Sequence, residues 1–331
     1  MTGVPGAVHA SLEPMSVPGR VSIILRTKNR PRLLARALDD VLAQTFTDWH
    51  LVIVNDVGDP APVDALVAER DARFSGRVSV VHRTASAGME DATNTGLAQT
   101  EGAYVCVHDD DDTWDPEFLA TTVGHLDAHP GQAAVVTRTI IVLEELDGDR
   151  VVEVGRHPFW ADLTDVTLSD LLRINRFVPI GLLYRRAVHA TIGTYREELA
   201  VAGDWDFHLR LLSAYAVGFV DRPLAFWHQR PGAAGAASNS IMQDADHARF
   251  DLLVRDLHLR DYVERNGAGG LLYLTRLLTD EFEALHRRLD TLQERVDAAE
   301  AASREVGLIA LARRKYHLAR HHWATRKQSR G

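Results

Sequence analysis

Four aspartates in succession, Asp109 to Asp112, follow directly on the apolar run "YVCV" within the stretch "YVCVHDDDDTWDP". Adjacent carboxylates repel one another, so water or a positive group has to stand against them. A calcium loop would require glycine at its sixth position and glutamate at its twelfth. Counted from Asp109, those positions are Trp114 and Ala120, which excludes that loop. Two readings remain. One is a solvated acid run, which suits tails and linkers better than the junction between a strand and a helix start such as "WDPEFL". The other, which this setting favours, is a hard divalent cation on one or two carboxylates, its shell completed by water and a diphosphate. Polar stretches also close the earlier apolar runs, "RTKN" after "VSIIL" and "NDVGD" after "LVIV".

The elements between these residues alternate. "VSIIL" (21–25), "LVIV" (51–54), "VSVV" (78–81) and "YVCV" (104–107) read as short buried strands. Leu34, Leu38, Val41 and Leu42 make one helical stripe whose start is marked by Asn29 and Pro31, and further helices are predicted over 62–71 and 88–99. Such alternation predicts right-handed βαβ units and an α/β fold with a central, mainly parallel sheet flanked by helices. Ligands of these sheets gather beyond the carboxyl ends of the strands. Here those ends are "RTKN", "NDVGD", "HRTAS" and "HDDDD", so the four aspartates stand where a ligand belongs. After Pro116 a helix is predicted over 117–128, then a strand, "AAVVTRTIIVL", whose turn "DGDR" at 147–150 leads a hairpin into "VVEV". Another helix follows over 204–213, and "AVGFVDRPLAFWH" carries two short apolar runs. "RPGAAGAASNS" (230–240) is a loop composed for mobility.

From about residue 270 the texture changes. Leu278, Phe282, Leu285, Leu289, Leu292, Val296, Ala299, Ser303, Val306 and Ala310 are spaced alternately four and three apart, a heptad seam within a predicted long helix over 271–310. So narrow a seam suits a partner helix and predicts a homo-oligomer; the alternative is one amphipathic helix packed on its own domain. Residues 306–331 hold Arg313, Arg314, Lys315, Arg320, Arg326, Lys327 and Arg330 and no acid, with Tyr316 and Trp323 among them, a composition suited to an anionic membrane surface. Three segments follow: a loose leader (1–19), an α/β domain (20–245) and a helical C-terminal extension with the coiled-coil segment and the basic tail (246–331). The formal net charge of -9 argues against nucleic acid as a partner. The lone Cys106 lies inside a strand, where it forms no internal disulfide, and fits a reducing compartment. The leader lacks the apolar core of a signal peptide, and no apolar run approaches the ~18 residues of a membrane span. A cytoplasmic protein, peripheral at the inner face of the membrane through its tail, is the expectation.

"VSIILRTKNRPRLLARALDDVLAQTFTDWHLVIVND", then "HDDDDTWDP", then "GDWDFHLRLL", in this order over roughly residues 20–240, resemble the family 2 glycosyltransferases of the GT-A fold. The resemblance implies a single α/β domain with a central mixed sheet, binding a nucleoside-diphosphate sugar in its first half and an acceptor in its second. In the family's Asp-x-Asp signature the first acid meets the ribose and the last binds the metal. Carried over, Asp109 contacts ribose and Asp111 holds Mn²⁺ or Mg²⁺, with Asp110 and Asp112 flanking them and a one-residue shift of register as the alternative. Asp56 corresponds to the acid that accepts from the base, typically uracil N3–H; stabilising its own turn is the alternative. Thr27 and Asn29 match positions lining the nucleotide, Asn29 serving alternatively as an N-cap.

Asp204 matches the family's general base, with capping of the following helix as its other role. The glutamate that usually precedes it is Gly203 here, and the usual Arg-Asn pair is Thr93-Asn94, so any phosphate contact from that arginine is lost or moved. His228 lies where many such enzymes complete the metal shell or touch the diphosphate, with a buried structural role as the alternative. Arg230 is placed to meet phosphate, and the loop after it to close as a lid. The implied activity is an inverting, metal-dependent, non-processive transfer of sugar, from UDP by family frequency, to the hydroxyl of a glycan, lipid-linked or small-molecule acceptor. The polysaccharide synthases' Gln-x-x-Arg-Trp motif is absent. The alternatives are a non-catalytic nucleotide-sugar-binding scaffold and a sugar nucleotidyltransferase; the latter wants a glycine-rich loop after the first strand, and "RTKNRP" has no glycine.

Overall fold

The structure, a computed structural model, describes residues 21–147, 150–199, 202–231 and 244–328. The leader, turn residues 148–149, residues 232–240 of the Gly/Ala/Ser loop, and Arg330 therefore lie outside the described residues. In chain order the strands are β1 (Val21–Thr27), β2 (Trp49–Asn55), β3 (Val78–His82), β4 (Tyr104–Asp109), β5 (Thr113–Trp114), β6 (Gln132–Asp147), β7 (Arg150–Pro158), β8 (Leu182–Arg185) and β9 (Ala216–Gln229). The helices are α1 (Pro31–Leu42), α2 (Pro60–Glu69), α3 (Asp71–Phe74), α4 (Met89–Ala98), α5 (Phe118–Ala128), α6 (Leu168–Leu171), α7 (His189–Ile192), α8 (Gly203–Ala214), α9 (Asp244–Asn266) and α10 (Gly269–Gln328).

One sheet runs in the order β3-β2-β1-β4-β8-β6-β9-β5, with β7 paired to β6 off this path. β3, β2, β1 and β4 are mutually parallel, as the alternation of strands and helices predicts. The second half is mixed: β8 is antiparallel to both β4 and β6, β6 and β9 are parallel, and β6 and β7 form the expected hairpin. The two apolar runs of "AVGFVDRPLAFWH" turn out to be one 14-residue strand, β9. Its pairing with β6 slips in register around Arg138, whose partner is Pro223, and then resumes, which lets a proline sit in a long strand.

Period-two alternation gives the parallel strands two buried faces. Ile23, Leu25, Leu51, Ile53 and Cys106 pack with Leu34 and Leu38 of α1, Val63 of α2 and Phe118 of α5. Ile24, Val52, Val54, Val105 and Val107 face the other way, against Ala92 and Leu97 of α4 and Trp205, Phe207 and Leu211 of α8. α4 lies close on the sheet because Gly96 lacks a side chain; a Cβ there would stand 2.5 Å from Ile24 and 3.1 Å from Val54. The helix stripe on α1 is where it was predicted, but its cap is Arg30 rather than Asn29. Asn29 takes a left-handed conformation (φ 55°), and its side-chain oxygen accepts from the Asp59 backbone N–H instead.

The chain divides into two compact units, Met1–Leu257 and His258–Gly331. Within the second, α10 is a single 60-residue helix spanning the predicted 271–310 segment. Leu278, Phe282, Leu285, Leu289, Leu292 and Val296 along its seam are each about half exposed, from 50% to 58%. No described helix is long and apolar enough to cross a membrane.

Candidate active site

The parallel register sets Arg26, near the end of β1, beside Asp109, the last residue of β4. There the guanidinium grips the carboxylate with two parallel bonds, Nε to Oδ1 and Nη2 to Oδ2, each 2.8 Å. Such bidentate pairs are among the strongest side-chain contacts. The remaining nitrogen, Nη1, donates to Thr93 Oγ1 at 3.1 Å. Thr93 is where the family pattern has an arginine, so a guanidinium does reach this neighbourhood, delivered by β1 instead of α4. Burial opposes the charge of Arg26, but the charge of Asp109 and its two bonds outweigh it and hold the guanidinium firmly protonated.

The next three acids draw on partners from several elements, and two of them share Arg30. Thr27 Oγ1 donates to Asp110 Oδ2 at 2.7 Å, and Arg30 Nη1 bridges Asp110 (3.2 Å) and Asp111 (3.3 Å). Burial, aided by the charge of Asp111, pushes the Asp110 carboxyl up to about 7, against the pull of Arg30 and Thr27. Arg230 Nη2 reaches the same Asp111 oxygen as Arg30 does. Asp112 turns inward and accepts from the His228 backbone N–H at 2.9 Å; burial and its acidic neighbours push it well above the ordinary carboxylate range.

β6 and β9 close this mouth. Val142 pairs with His228 in their parallel register, which brings Glu144, two residues on, toward His228 and Arg230. Glu144 receives His228 Nδ1 at 2.6 Å, Arg36 Nη1 at 2.5 Å and Arg230 Nη1 at 2.7 Å. Burial would raise the Glu144 carboxyl, but the bond from His228 and the charge of Arg36 prevail and hold it at about 2. Burial keeps His228 below its ordinary value, hence neutral near pH 7. Its Nδ1–H then donates to Glu144, leaving the Nε2 lone pair to accept from the Thr113 hydroxyl at 2.8 Å.

The other candidates form two wings. At the end of β2, Asp56 is held by Arg83 Nη1 (2.6 Å) and Ser86 Oγ (2.5 Å). Asp204 occupies the second position of α8, whose cap is the left-handed Ala202, so it does not serve as the N-cap. Burial raises its carboxyl above the ordinary range, while the Trp205 backbone N–H and the Asn175 amide pull it back. Asn175 Nδ2 donates to Asp204 at 2.9 Å, and its Oδ1 faces His208 Nδ1 at 3.2 Å. Burial keeps His208 neutral, pushed down to about 3, so Nδ1–H donates and fixes which way the Asn175 amide points. Asp206 makes the ion pair with Arg210 that its i,i+4 spacing predicts, and a second with Arg196. It is fully buried and fully answered.

Sequence reading did not single out Arg26, Arg30, Arg36, Glu90, Glu144, Arg83 or Asn175. A charged residue directly behind the β-branched run of β1, and Glu144 directly behind the apolar run Ile140–Leu143 of β6, were the available signals. Among the described residues no three His, Cys, Asp or Glu side chains form a ready-made cation cage. The donors present nevertheless fit a hard cation that keeps water and diphosphate oxygens in its shell. Asp111 presents carboxylate oxygen at the mouth, with the carboxyls of Asp110 and Asp112 directly beside it.

Glu144 joins three donor groups, so replacing its carboxylate takes a charged acceptor from Arg36, Arg230 and His228 at once. Glu144→Gln is expected to cost about 3 kcal/mol of stability near neutral pH. Because the folded carboxyl sits at about 2 against an ordinary 4.5, its contribution is complete above pH 4.5 and is lost as pH falls toward 2. Urea unfolding of parent and variant across this range checks it; a gap that does not narrow would sink the assignment.

Comparison with known proteins is consistent with this geometry. A protein of Bacillus subtilis named as the uncharacterized glycosyltransferase YwdF is 30% identical over 203 residues, 60% of this chain and 70% of its own length. An uncharacterized protein of Sinorhizobium fredii, y4gI, is 29% identical over 232 residues, 69% of this chain, but the chain spans only 24% of that protein's length. Among solved structures, S. aureus TarS in complex with UDP-GlcNAc superposes with a TM-score of 0.53 at 20% identity, covering 71% of this chain and 65% of that one. A mannosyltransferase of Pyrobaculum calidifontis, PcManGT, in complex with GDP-Man and Mn²⁺, gives 0.50 at 16%, covering 73% and 64%. At these identities the two structures speak for the fold, which is GT-A. The family model for Glycosyl transferase family 2 matches residues 22–192, just over half of the chain, and the chain belongs to that family.

Proposed function

We propose that this protein transfers a sugar from a nucleoside-diphosphate donor to an acceptor hydroxyl with inversion, without processive polymerisation, and with a divalent cation at Asp111. The observation that carries this reading is the placement of Asp204. Its carboxyl lies at the first turn of α8, close enough to Arg26 and Asp109 to feel their charges, and is raised above the ordinary range. A carboxylate of raised pKa beside a diphosphate-binding mouth is suited to take a proton. Asp204 removes the acceptor's hydroxyl proton while that oxygen bonds to the anomeric carbon. The bond to the diphosphate oxygen breaks on the opposite face. Arg30 and Arg230 meet the charge that gathers on the leaving diphosphate. A bound Mn²⁺ or Mg²⁺ supplies further charge neutralisation there. Asp109 is assigned to the ribose and Asp56 to the base, with Thr27 and Asn29 lining the nucleotide; His228 braces Glu144, and contributes to the cation only if Thr113 gives up Nε2. UDP is the proposed nucleotide, supported by the likeness to TarS, whose structure was solved with UDP-GlcNAc and with UDP.

The half-exposed seam of α10 is assigned to a second copy of this chain, since alternate four- and three-residue spacing seats knobs of one helix in holes of an identical one. The basic tail adds contact with anionic lipid at the inner face of the membrane.

Three outcomes follow. Asp204→Asn keeps the shape of the side chain and is expected to bind UDP as the parent does while losing about 10²–10⁴-fold in released UDP. Asp206→Asn, whose work is to answer Arg196 and Arg210, affects stability rather than chemistry. A dead Asp206→Asn at parental stability, with an active Asp204→Asn, would shift the assignment by two residues. In calorimetry, UDP affinity should drop on chelation and in Asp111→Ala; equal affinity throughout would remove the cation. Light scattering should show the full chain larger than a monomer and a truncation at Gly270 monomeric, and a monomeric full chain would refute the seam.

A further inference from the structure

Gly203 opens α8 in ordinary helical backbone, where any residue would fit by conformation. A glycine there gives up helix stability for no conformational reason. What excludes a side chain is Glu90. A Cβ on Gly203 would stand 2.5 Å from Glu90 Cγ, 2.7 Å from Cδ and 2.6 Å from Oε1. The carboxyl of Glu90, carried by the first turn of α4, thus fills the space that a side chain at 203 would take.

Glu90 is 4% exposed and lies 4.0 Å from Arg26 Nη1. The charged and titratable groups facing it are Arg26 from β1, Asp109 from β4, Asp204 and Asp206 from α8, and Tyr195 from the segment before α8. Arg26 is the one cation in that set, and it is already engaged bidentately by Asp109. Asp206 has its own arginines. Glu90 therefore sits between the arginine that holds Asp109 and the helix turn that holds Asp204, touching both sides of the site.

Resting on the reading of Asp204 as the base, we propose that Glu90 is a positioning residue for transfer: delivered from α4 into the notch left by Gly203, its carboxyl fixes the first turn of α8 against Arg26 and so sets Asp204 relative to Asp109. Burial, against the pull of Arg26, pushes Glu90 up to about 8, so it works as a neutral carboxyl near pH 7. Ionised, it would compete with Asp109 for Arg26.

The test reads UDP released from UDP-GlcNAc, and UDP affinity by calorimetry between pH 6 and 9.5. Glu90→Gln, which copies the neutral carboxyl, should keep near-parental turnover at pH 7. Glu90→Ala should lose about 10²-fold in kcat, the scale of a small misplacement of a catalytic group, with KM for the donor little changed. The double variant Glu90→Ala/Gly203→Glu, which returns a carboxyl to the same space from α8, should recover most of that loss. Above pH 8 UDP affinity should weaken more in the parent than in Glu90→Gln, the limb common to both belonging to the uracil N3–H. Melting temperatures of all variants separate loss of function from loss of fold. Parental kcat in Glu90→Ala, or a pH limb as steep in Glu90→Gln as in the parent, overturns the proposal. So does failure of the double variant to recover activity while its melting temperature matches the parent's. An active Asp204→Asn overturns the base assignment instead, and is read independently of every Glu90 variant.

Discussion

Carboxylates crowded at one edge of a buried sheet have to be answered by cations, and that requirement organises this protein. Asp109 to Asp112 follow one another without a break, so no single neighbour can serve them all. Arg26 comes from β1, Arg30 from the loop behind it, Arg36 from α1 and Arg230 from the end of β9. Each guanidinium ties a different element to the mouth of the site. Taking these charges out of water unpaired would cost several kcal/mol apiece. The same contacts that offset that cost fix where a diphosphate would meet positive charge.

Long-range strand pairing does the equivalent work on the far side. The parallel match of β6 with β9 brings Glu144 to His228 and Arg230, which follow it by 84 and 86 residues. Glu144 is the hub. One carboxylate orients an imidazole and two guanidiniums, and the neutral imidazole in turn anchors the Thr113 hydroxyl next to the acid run. A histidine at this position therefore reads as part of the scaffold that holds Arg230, and Arg230 as the residue that carries the scaffold's charge to Asp111.

At both departures from the family pattern a side chain from another element stands close by. Thr93 stands where an arginine is usual, and Arg26 arrives at the same spot from the neighbouring strand. Gly203 stands where a glutamate is usual, and Glu90 arrives from α4. Both placements follow from the convergence of β1, α4 and α8 on one volume.

Sequence by itself determined the parallel half of the sheet, the helices α1, α2, α4, α5 and α8, and the heptad helix, because these rest on periodicities of two and of 3.6 that neighbouring residues carry. It also showed the acid run at the end of β4, since four adjacent carboxylates behind an apolar run are visible along the chain, whereas Asp204 came into view only through the family resemblance. The ends of elements moved by a residue or two, as with α2, which starts at Pro60 because Asp59 caps it. Only the tertiary structure decided which cation answers which acid. That Arg26 belongs to Asp109 follows from the β1–β4 register; that Asp206 is structural follows from the loop residue Arg196, as well as from Arg210 on its own helix. The mixed order of β8, β6 and β9 was not legible either, since antiparallel and parallel partners are chosen by long-range packing and leave no mark on the spacing of a single strand. Gly203 shows the difference most plainly. Its sequence says only that a side chain is missing; the fold supplies the carboxyl that fills its place.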